Sequence, residues 1–561
     1  MAPGPVGTYP EPDLTQPATS PSPEKDVRMP EEQPPAEPGG PGSPWSWSRP
    51  EQDGGDPAGG PRRALPRSED FRRTVGFTVL GTVVPGVGLI AAGRRVVGSV
   101  VVALFVLTLA AVGIAAAVDR QALIQVGVDP TLLRRLSVVL VVVAALWVVV
   151  VVASHLALRH RPTRPQRVVG GVLVGVLAFA VAAPMAVAAR TAYVQAGLVG
   201  TLFKSDKDTQ SATRPTFAPT HQGDKEQQED PWADKARLNV LLLGGDAGKG
   251  RVGTRTDTVI LASIDTKTGD TVLFSLPRNM ARAPFPPGSP LSRYYPNGFT
   301  DGNPENAEFF LNAMYRDVPV RVPKDVLGKT DNLGADVMKL SVGQALGLKV
   351  DYYVLINLQG FSTMIDALGG IRLNVNTYIP IGGVTDLHIP PKEYIHPGPD
   401  QKMNGRSALW YARGRYGSDD FARMDRQRCV INAMIKQVNP TNVLTRYEDI
   451  ANASKSIVFT DVPQEVLPAM VDLSLRAKKG NVRSIVFKNG VSGFLSANPD
   501  FALMRSRVKK AIGESKDDGT PKKTASKSAG SSSGKAPTSE DVDSSCRYDP
   551  KVAATARPYT G

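Results

Sequence analysis

Between Asn404 and Gln427 the chain reads NGRSALWYARGRYGSDDFARMDRQ, which sets Arg413, Arg415, Arg423 and Arg426 around the pair Asp419 and Asp420. A second charged set, Asp246, Arg255, Asp257 and Arg278, lies upstream beside apolar runs of strand length. Arginines so crowded repel one another and are costly to bury unless an anion sits among them. Carboxylates in the same set suit a divalent cation, whose preferred ligands are oxygens. The two sets together predict a site for a phosphorylated ligand, above all a diphosphate.

The spacing indicates how these side chains are presented. Arg255 and Asp257 precede the strand that starts at Thr258, and period two puts them on one side of an extended segment, from which Asp257 and Asp246 can approach one ion. Arg278 follows Pro277 at the end of the next strand. A helix over 421–436, capped by Asp419 or Asp420, carries Arg423, Arg426 and Gln427 at i, i+3 and i+4 on one face. Arg413 and Arg415 share a side of an extended approach to it. Forked guanidiniums match phosphoryl oxygens bidentately, which a solvated salt-bridge network does not require.

The elements that must hold the sets in place are short. Asn239–Leu243, Thr258–Ile264 and Thr271–Leu276 read as strands, with a hairpin turn at Gly269 and Asp270. Leu333, Val337 and Leu340 recur at helical spacing before Gly347, and a strand over 353–358 leads into a helix over 359–368 stopped by Gly369 and Gly370. Ile371–Val375 is a further strand. Such an alternation predicts an α/β or α+β sandwich, with a mixed central sheet covered by helices.

Several function classes fall away. In GGDAGKG at 244–250, only three residues separate Gly244 from Gly248, and Gly250 stands where a phosphate-binding loop needs Ser or Thr. Basic residues form no lysine-rich stripe with interleaved aromatics, so nucleic acid fits poorly. The chain has 5 histidines, none in either motif block, which leaves proton removal to a carboxylate, Asp257 or Asp420, or attack by a hydroxyl with divalent-metal assistance.

The chain has 561 residues and a net charge of +13, enough for one large domain with additions. Residues 1–61 are rich in Pro, Gly, Ser and Glu and bury too little apolar surface to offset ordering, which predicts a disordered tail. Apolar runs follow at 74–93, 96–118, 136–157 and 168–190, and about 20 such residues cross a hydrocarbon layer. Arginines at 62, 63, 67, 72 and 73, and again at 159, 161, 164 and 167, mark the cytoplasmic side. An even number of crossings must join those points. The run at 74–93 is broken by Gly81, Pro85, Gly86, Gly88 and Gly93, so it reads as re-entrant or interfacial, and the domain after the third span lies outside the cell. A count of four crossings would put it inside. Residues 193–235 read as a linker, 236–510 as the domain and 511–561 as a disordered tail. Cys429 and Cys546 leave two states open, a bridge pinning the tail back or two free thiols.

The domain resembles the LytR–CpsA–Psr family of cell-wall polymer ligases. The resemblance rests on the strand with GGD, RTDT at 255–258, LPRN at 276–279, DALGG at 366–370 and the block ending at Gln427, in family order over about 236–440. The multi-span N-terminus is similar to the longer actinobacterial members. The resemblance implies that Asp246 and Asp257 bind Mg²⁺ or another divalent ion. It implies that Arg255, Arg278, Arg413, Arg415, Arg423 and Gln427 surround a polyprenyl pyrophosphate, and that Asp420 positions an arginine or the acceptor hydroxyl. Three departures stand out: Ser418 for the first Asp of a D-x-D pair, Asn279 for an Asp, and no lysine before Asn312 and Ala313, Arg293 being the nearest cation.

The implied reaction moves a glycopolymer, as sugar phosphate, from a polyprenyl diphosphate to a peptidoglycan hydroxyl, with no nucleotide. Arg278, Arg413, Asp257 and Asp420 are the expected catalytic residues. An apolar tunnel for the membrane lipid would be lined by Phe309, Phe310, Val354, Ile356, Phe361 and Met364, which could equally be ordinary core. Arabinogalactan, teichoic or teichuronic acid and capsule would all present the same diphosphate. A non-catalytic glycan-binding scaffold and a polyprenyl-diphosphate hydrolase are the competing readings.

Overall fold

The computed structural model describes residues 67–118, 126–159, 163–215, 232, 235–246, 253–437, 458–514 and 539–559. The tail expected over 1–61 lies outside them. Helices α1 (Arg67–Val83) and α2 (Val87–Ala91) are separated by a break at Pro85 and Gly86, the glycine adopting φ 103°. Three helices follow, α3 (Arg95–Val118), α4 (Pro130–Leu158) and α5 (Arg164–Leu202). Among the described residues these three are long and apolar enough to cross a membrane. α1 packs on α4 through polar contacts, Thr78 with His155 Nδ1 at 3.1 Å and Trp147 Nε1 donating to the Thr82 carbonyl at 3.0 Å.

The region expected to be a loose tether is built in. α5 continues to Leu202, and residues 205–214 are gripped by acids of the domain. Glu465 accepts from Ser205 Oγ at 2.6 Å and from the Asp206 amide at 3.0 Å. Buried Asp336 accepts from Ser211 Oγ at 2.8 Å and the Ala212 amide at 3.0 Å. Polar composition here signals side chains that satisfy buried carboxylates, which periodicity cannot reveal.

The domain is built on strands β1 (Arg237–Gly245), β2 (Thr256–Asp265), β3 (Thr271–Leu276), β4 (Tyr352–Asn357), β9 (Val458–Thr460), β10 (Val482–Val486) and β11 (Glu540–Asp541), in the order β11-β10-β3-β2-β1-β4-β9. β1 and β4 are parallel, as are β3 and β10, and the other neighbours are antiparallel, so the sheet is mixed as expected. The separate pairs β5 (Ile371–Val375) with β8 (Gly398–Met403), and β6 (Ile379–Val384) with β7 (Ile389–Ile395), lie to one side.

Both faces of the large sheet are covered, which is why its strands read as continuous apolar runs. Leu241, Leu243, Val259, Leu261 and Phe274 face a core completed by helices α6 (Leu311–Arg321), α7 (Leu333–Leu346) and α12 (Phe501–Glu514). The alternate residues Val240, Leu242, Ile260, Ala262 and Leu273 face the other way. On that side stand α8 (Leu358–Ala367), α9 (Gly405–Arg413), α10 (Asp420–Gln437) and α11 (Leu467–Lys479). Asp419 caps α10, its Oδ1 accepting from the Ala422 amide at 2.7 Å.

The disordered tail expected over 511–561 does not hold for 539–559. β11 pairs with β10, α13 (Val542–Ser545) follows, and Cys546 is bridged to Cys429 on α10. A Lys/Ser/Thr-rich stretch before it hid a short segment whose order comes from partners distant in sequence.

Candidate active site

β1 and β2 are in register until a bulge, where Gly244 faces Thr258 and Gly245 faces Thr256. Asp257 is the extra residue. A bulge re-aims the side chain it carries and interrupts the alternation of an extended segment. Gly244 and Gly245 are needed beside it, since a Cβ at either would press on Thr258 or Thr254 at 2.8 Å. β1, β3 and β4 run in one direction, and their carboxyl ends bring Asp246, Arg278 and Asn357 to the rim where β2 begins.

Arg278 Nη1 donates to Asp257 Oδ1 at 3.0 Å, and its Nε lies 3.4 Å from Asp420 Oδ1. Asp420 also draws in Arg423 at 3.0 Å and Arg415 at 3.7 Å. Arg423 is buried, and its Nη2 donates to the Asp257 carbonyl at 3.1 Å. Asn312 Nδ2 reaches Asp257 Oδ1 at 3.4 Å. Asp246 Oδ1 accepts from the Arg255 amide at 2.7 Å, and Glu308 pairs with the guanidiniums of both Arg255 and Arg316. The Arg413 guanidinium lies 4.8 Å from the centre of the Trp410 ring, a cation–π contact.

The charge states follow from these neighbours. Burial pushes the Asp257 carboxyl up, but Arg278 and Arg423 outweigh it and hold the group below the usual carboxylate range. Burial works against the Arg278 cation, and Asp257 with Asp420 more than restores it. Arg423 is pulled down to about 10 by burial, despite Asp420 and Asp257.

A cavity of about 790 Å³ lies between the sheet and helices α8 to α11. Asp246, Arg255, Asp257, Arg278, Arg413, Arg415, Arg423 and Gln427 form its polar end, five arginines against two aspartates. Its body is apolar, walled by Val240, Leu242, Val354 and Ile356 of the sheet and by Val430, Ile431, Met434 and Ile435 of α10. The cationic end and the apolar body are continuous.

The structure departs from three of the expectations. Arg413 ends helix α9 and does not sit on an extended approach, although it still reaches the cavity with Arg415. Arg426 does not share the cavity face. Its Nε donates to the Tyr411 carbonyl at 2.7 Å and it also holds the Gly414 carbonyl, bracing the turn between α9 and α10. Asp420 stands behind the wall and gathers three arginines, in keeping with the positioning role expected of it. Phe309 and Phe310 do not line the cavity, whereas Val354, Ile356, Phe361 and Met364 do. Phe309 packs on the opposite core, its ring 5.1 Å from Phe299 and under the Arg321 guanidinium.

Missed residues include Glu308, Asn312, Trp410 and the α10 stripe. That stripe was legible: Gln427, Val430, Ile431 and Met434 recur at i, i+3, i+4 and i+7. Arg293, the nearest cation where a lysine was expected, is not among the cavity residues. Among the described residues no group of three or more His, Cys, Asp or Glu could hold a metal by itself.

The LytR_cpsA_psr family model matches residues 203–494. The chain is 26% identical over 311 residues to Biofilm regulatory protein A of Streptococcus mutans, covering 53% of this chain and 69% of that one. It is 26% identical over 243 residues to the polyisoprenyl-teichoic acid–peptidoglycan teichoic acid transferase TagU of Oceanobacillus iheyensis, covering 43% of this chain and 63% of that one, less than two thirds of its length. Among solved structures, protein gbs0355 from Streptococcus agalactiae aligns at 24% identity with a TM-score of 0.37, covering 51% of this chain and 90% of that chain.

Proposed function

Because the chain belongs to the LytR_cpsA_psr family, we propose that it transfers a glycopolymer, as sugar phosphate, from a polyprenyl diphosphate to a hydroxyl of peptidoglycan. The observation that carries this reading is the single cavity with a cationic end and an apolar body. A lipid diphosphate has the same two parts. Relatives named as polyisoprenyl-teichoic acid–peptidoglycan transferases support glycopolymer chemistry.

In the reaction the acceptor hydroxyl attacks the phosphorus that bears the sugar. The bond from that phosphorus to the bridging oxygen breaks, and polyprenyl phosphate leaves with the electron pair. Arg278, Arg413 and Arg423 meet the charge that develops on the phosphoryl and leaving oxygens, already oriented and so without reorganisation at the moment of transfer. Asp257, ionised and facing the cavity, is the carboxylate placed to take the hydroxyl proton, while Asp420 positions the arginines. The anhydride supplies the driving energy, so no nucleotide is required.

Asp246 and Asp257 both line the cavity, and these two carboxylates would hold Mg²⁺ or another divalent ion, whose preferred ligands are oxygens. When bound, such an ion polarises a phosphoryl oxygen and offsets its charge. The arginine excess on the loop before α5 and ahead of α1 supports an orientation in which α3, α4 and α5 span the membrane and the domain is extracellular. Val240 and Leu242 of the cavity wall belong to the same hydrophobic cluster as Val199 of α5 and Phe203 at its end.

Full-length protein in liposomes with a radiolabelled polyprenyl-diphosphate teichoic acid and peptidoglycan tests the proposal. Label incorporated into peptidoglycan with release of polyprenyl phosphate is expected. Label freed as soluble sugar phosphate indicates a hydrolase, and label that stays lipid-linked indicates a scaffold. Either result overturns transfer.

A further inference from the structure

The loop 414–419, which presents Arg415, is held from outside by a segment far along the chain. We propose that residues 539–559 form a strap that positions Arg415 for the diphosphate, with Tyr559 as its contacting residue. This inference rests on the functional reading above and adds a positioning element to it.

The strap has a fixed path. It starts at the sheet edge, where β11 pairs with β10, and Glu540 reaches Arg428 of α10 at 2.6 Å. Val542 is fully buried, and Asp543 accepts from Asn432 Nδ2 at 2.7 Å. The bridge from Cys546 to Cys429 then ties the strap covalently to α10, the helix that turns Arg423 and Gln427 into the cavity. Beyond the bridge, Asn374 donates to the Cys546 carbonyl and Asn376 to the Arg547 carbonyl, each at 3.0 Å. The strap therefore crosses α10 and runs along β5 and its exit.

Its far end meets the arginine loop. The Tyr559 ring packs edge-on against Tyr416, centroids 5.5 Å apart, and the Tyr559 carbonyl accepts from Tyr394 Oη at 2.7 Å. Tyr416 is the neighbour of Arg415 and is buried, its ring also close to Gly383 of β6. Gly417 has φ 69°, and a Cβ there would overlap the Tyr559 ring. The next residue continues the turn, the Ser418 amide donating to the Arg415 carbonyl at 2.8 Å. Tyr559 thus lies against the two residues that follow Arg415, with glycine at the point of closest approach.

An aromatic contact on a loop of six residues restricts the conformations open to it. Arg415 is 3.7 Å from Asp420 and nearly half exposed, so its own ion pair holds it weakly. The strap supplies the constraint that the ion pair lacks.

Hydrogen exchange on full-length protein in detergent, with Tyr559→Ala, Tyr559→Phe and wild type, tests the inference, together with titration of geranylgeranyl diphosphate as the probe ligand. The expected result is faster exchange confined to 414–419 in Tyr559→Ala, with several-fold weaker binding of the probe, and recovery of both in Tyr559→Phe. Unchanged exchange at 414–419 in Tyr559→Ala overturns the proposal, as does faster exchange with unchanged affinity. The exchange measurement needs no turnover, so its failure is distinct from failure of the transferase reading.

Discussion

Arg278 and Asp257 are joined at 3.0 Å where β3 ends and β2 begins. Asp257 is the residue expelled by the bulge, and Arg278 follows the last residue of its strand by two positions. Pairing of two neighbouring strands therefore fixes the ion pair, and Asp420 adds α10 to it. The charged sets found in sequence meet because the sheet and α10 bring them to one rim.

Replacing Arg278 with Ala removes a guanidinium that two carboxylates share and leaves Asp257 and Asp420 facing each other. Loss of a charge-assisted hydrogen bond costs about 1.5–3 kcal/mol, so the affinity for geranylgeranyl diphosphate is expected to fall about 10- to 100-fold. Titration calorimetry checks this, with a circular dichroism spectrum to show that the fold persists. Unchanged affinity would remove Arg278 from the ligand site.

Glu308 pairs with Arg255, the guanidinium that the proposal assigns to the diphosphate. It is half exposed, so its ion pairs contribute about 0–1 kcal/mol to stability. Glu308→Gln is expected to leave the melting temperature nearly unchanged and to strengthen binding of inorganic pyrophosphate. Weaker binding would show that the carboxylate supports the site instead.

Met434 lies on the apolar wall of the cavity. Met434→Trp is expected to lower affinity for a prenyl diphosphate while sparing inorganic pyrophosphate, because it fills the body and leaves the cationic end. Equal losses for both ligands, measured in parallel, would contradict a division of labour between the two ends.

The pH dependence of stability has a defined sign. The folded pKa of Asp257 lies below its ordinary value of 3.8, so its ionised form stabilises the fold above that pH, and the contribution is lost as pH falls through the depressed value. The difference in unfolding free energy between wild type and Asp257→Asn should be constant from neutral pH to about 4 and shrink below it. A difference that grows on acidification would reverse the assignment.

How much of this was legible in sequence varied with the range of the interaction. Strands β1 to β5 and helices α7, α8 and α10 announced themselves by period and by flanking glycines, because their covering layers leave a regular apolar pattern. The eight residues of the cavity's polar end were identifiable because arginines and aspartates crowd together only where an anion or ion offsets them. Whether Phe309 faced the cavity or the opposite core was not legible, since both sides of the sheet are apolar. Arg426 shares helical spacing with Arg423, yet the ends of α9 supply carbonyls that claim it, and spacing does not record a neighbour's unmet acceptors. The strap was hidden for the same reason: its order comes from β10, Asn374, Tyr394 and Cys429, all remote in sequence.

The most direct measurement is a crystal structure of the region that follows α5 with geranylgeranyl diphosphate bound. The diphosphate is predicted among Arg278, Arg413 and Arg423, with the prenyl chain running along Val354, Ile356 and Met434. A diphosphate bound elsewhere, or a prenyl chain outside the space between the sheet and α10, would contradict the cavity as the seat of the lipid substrate.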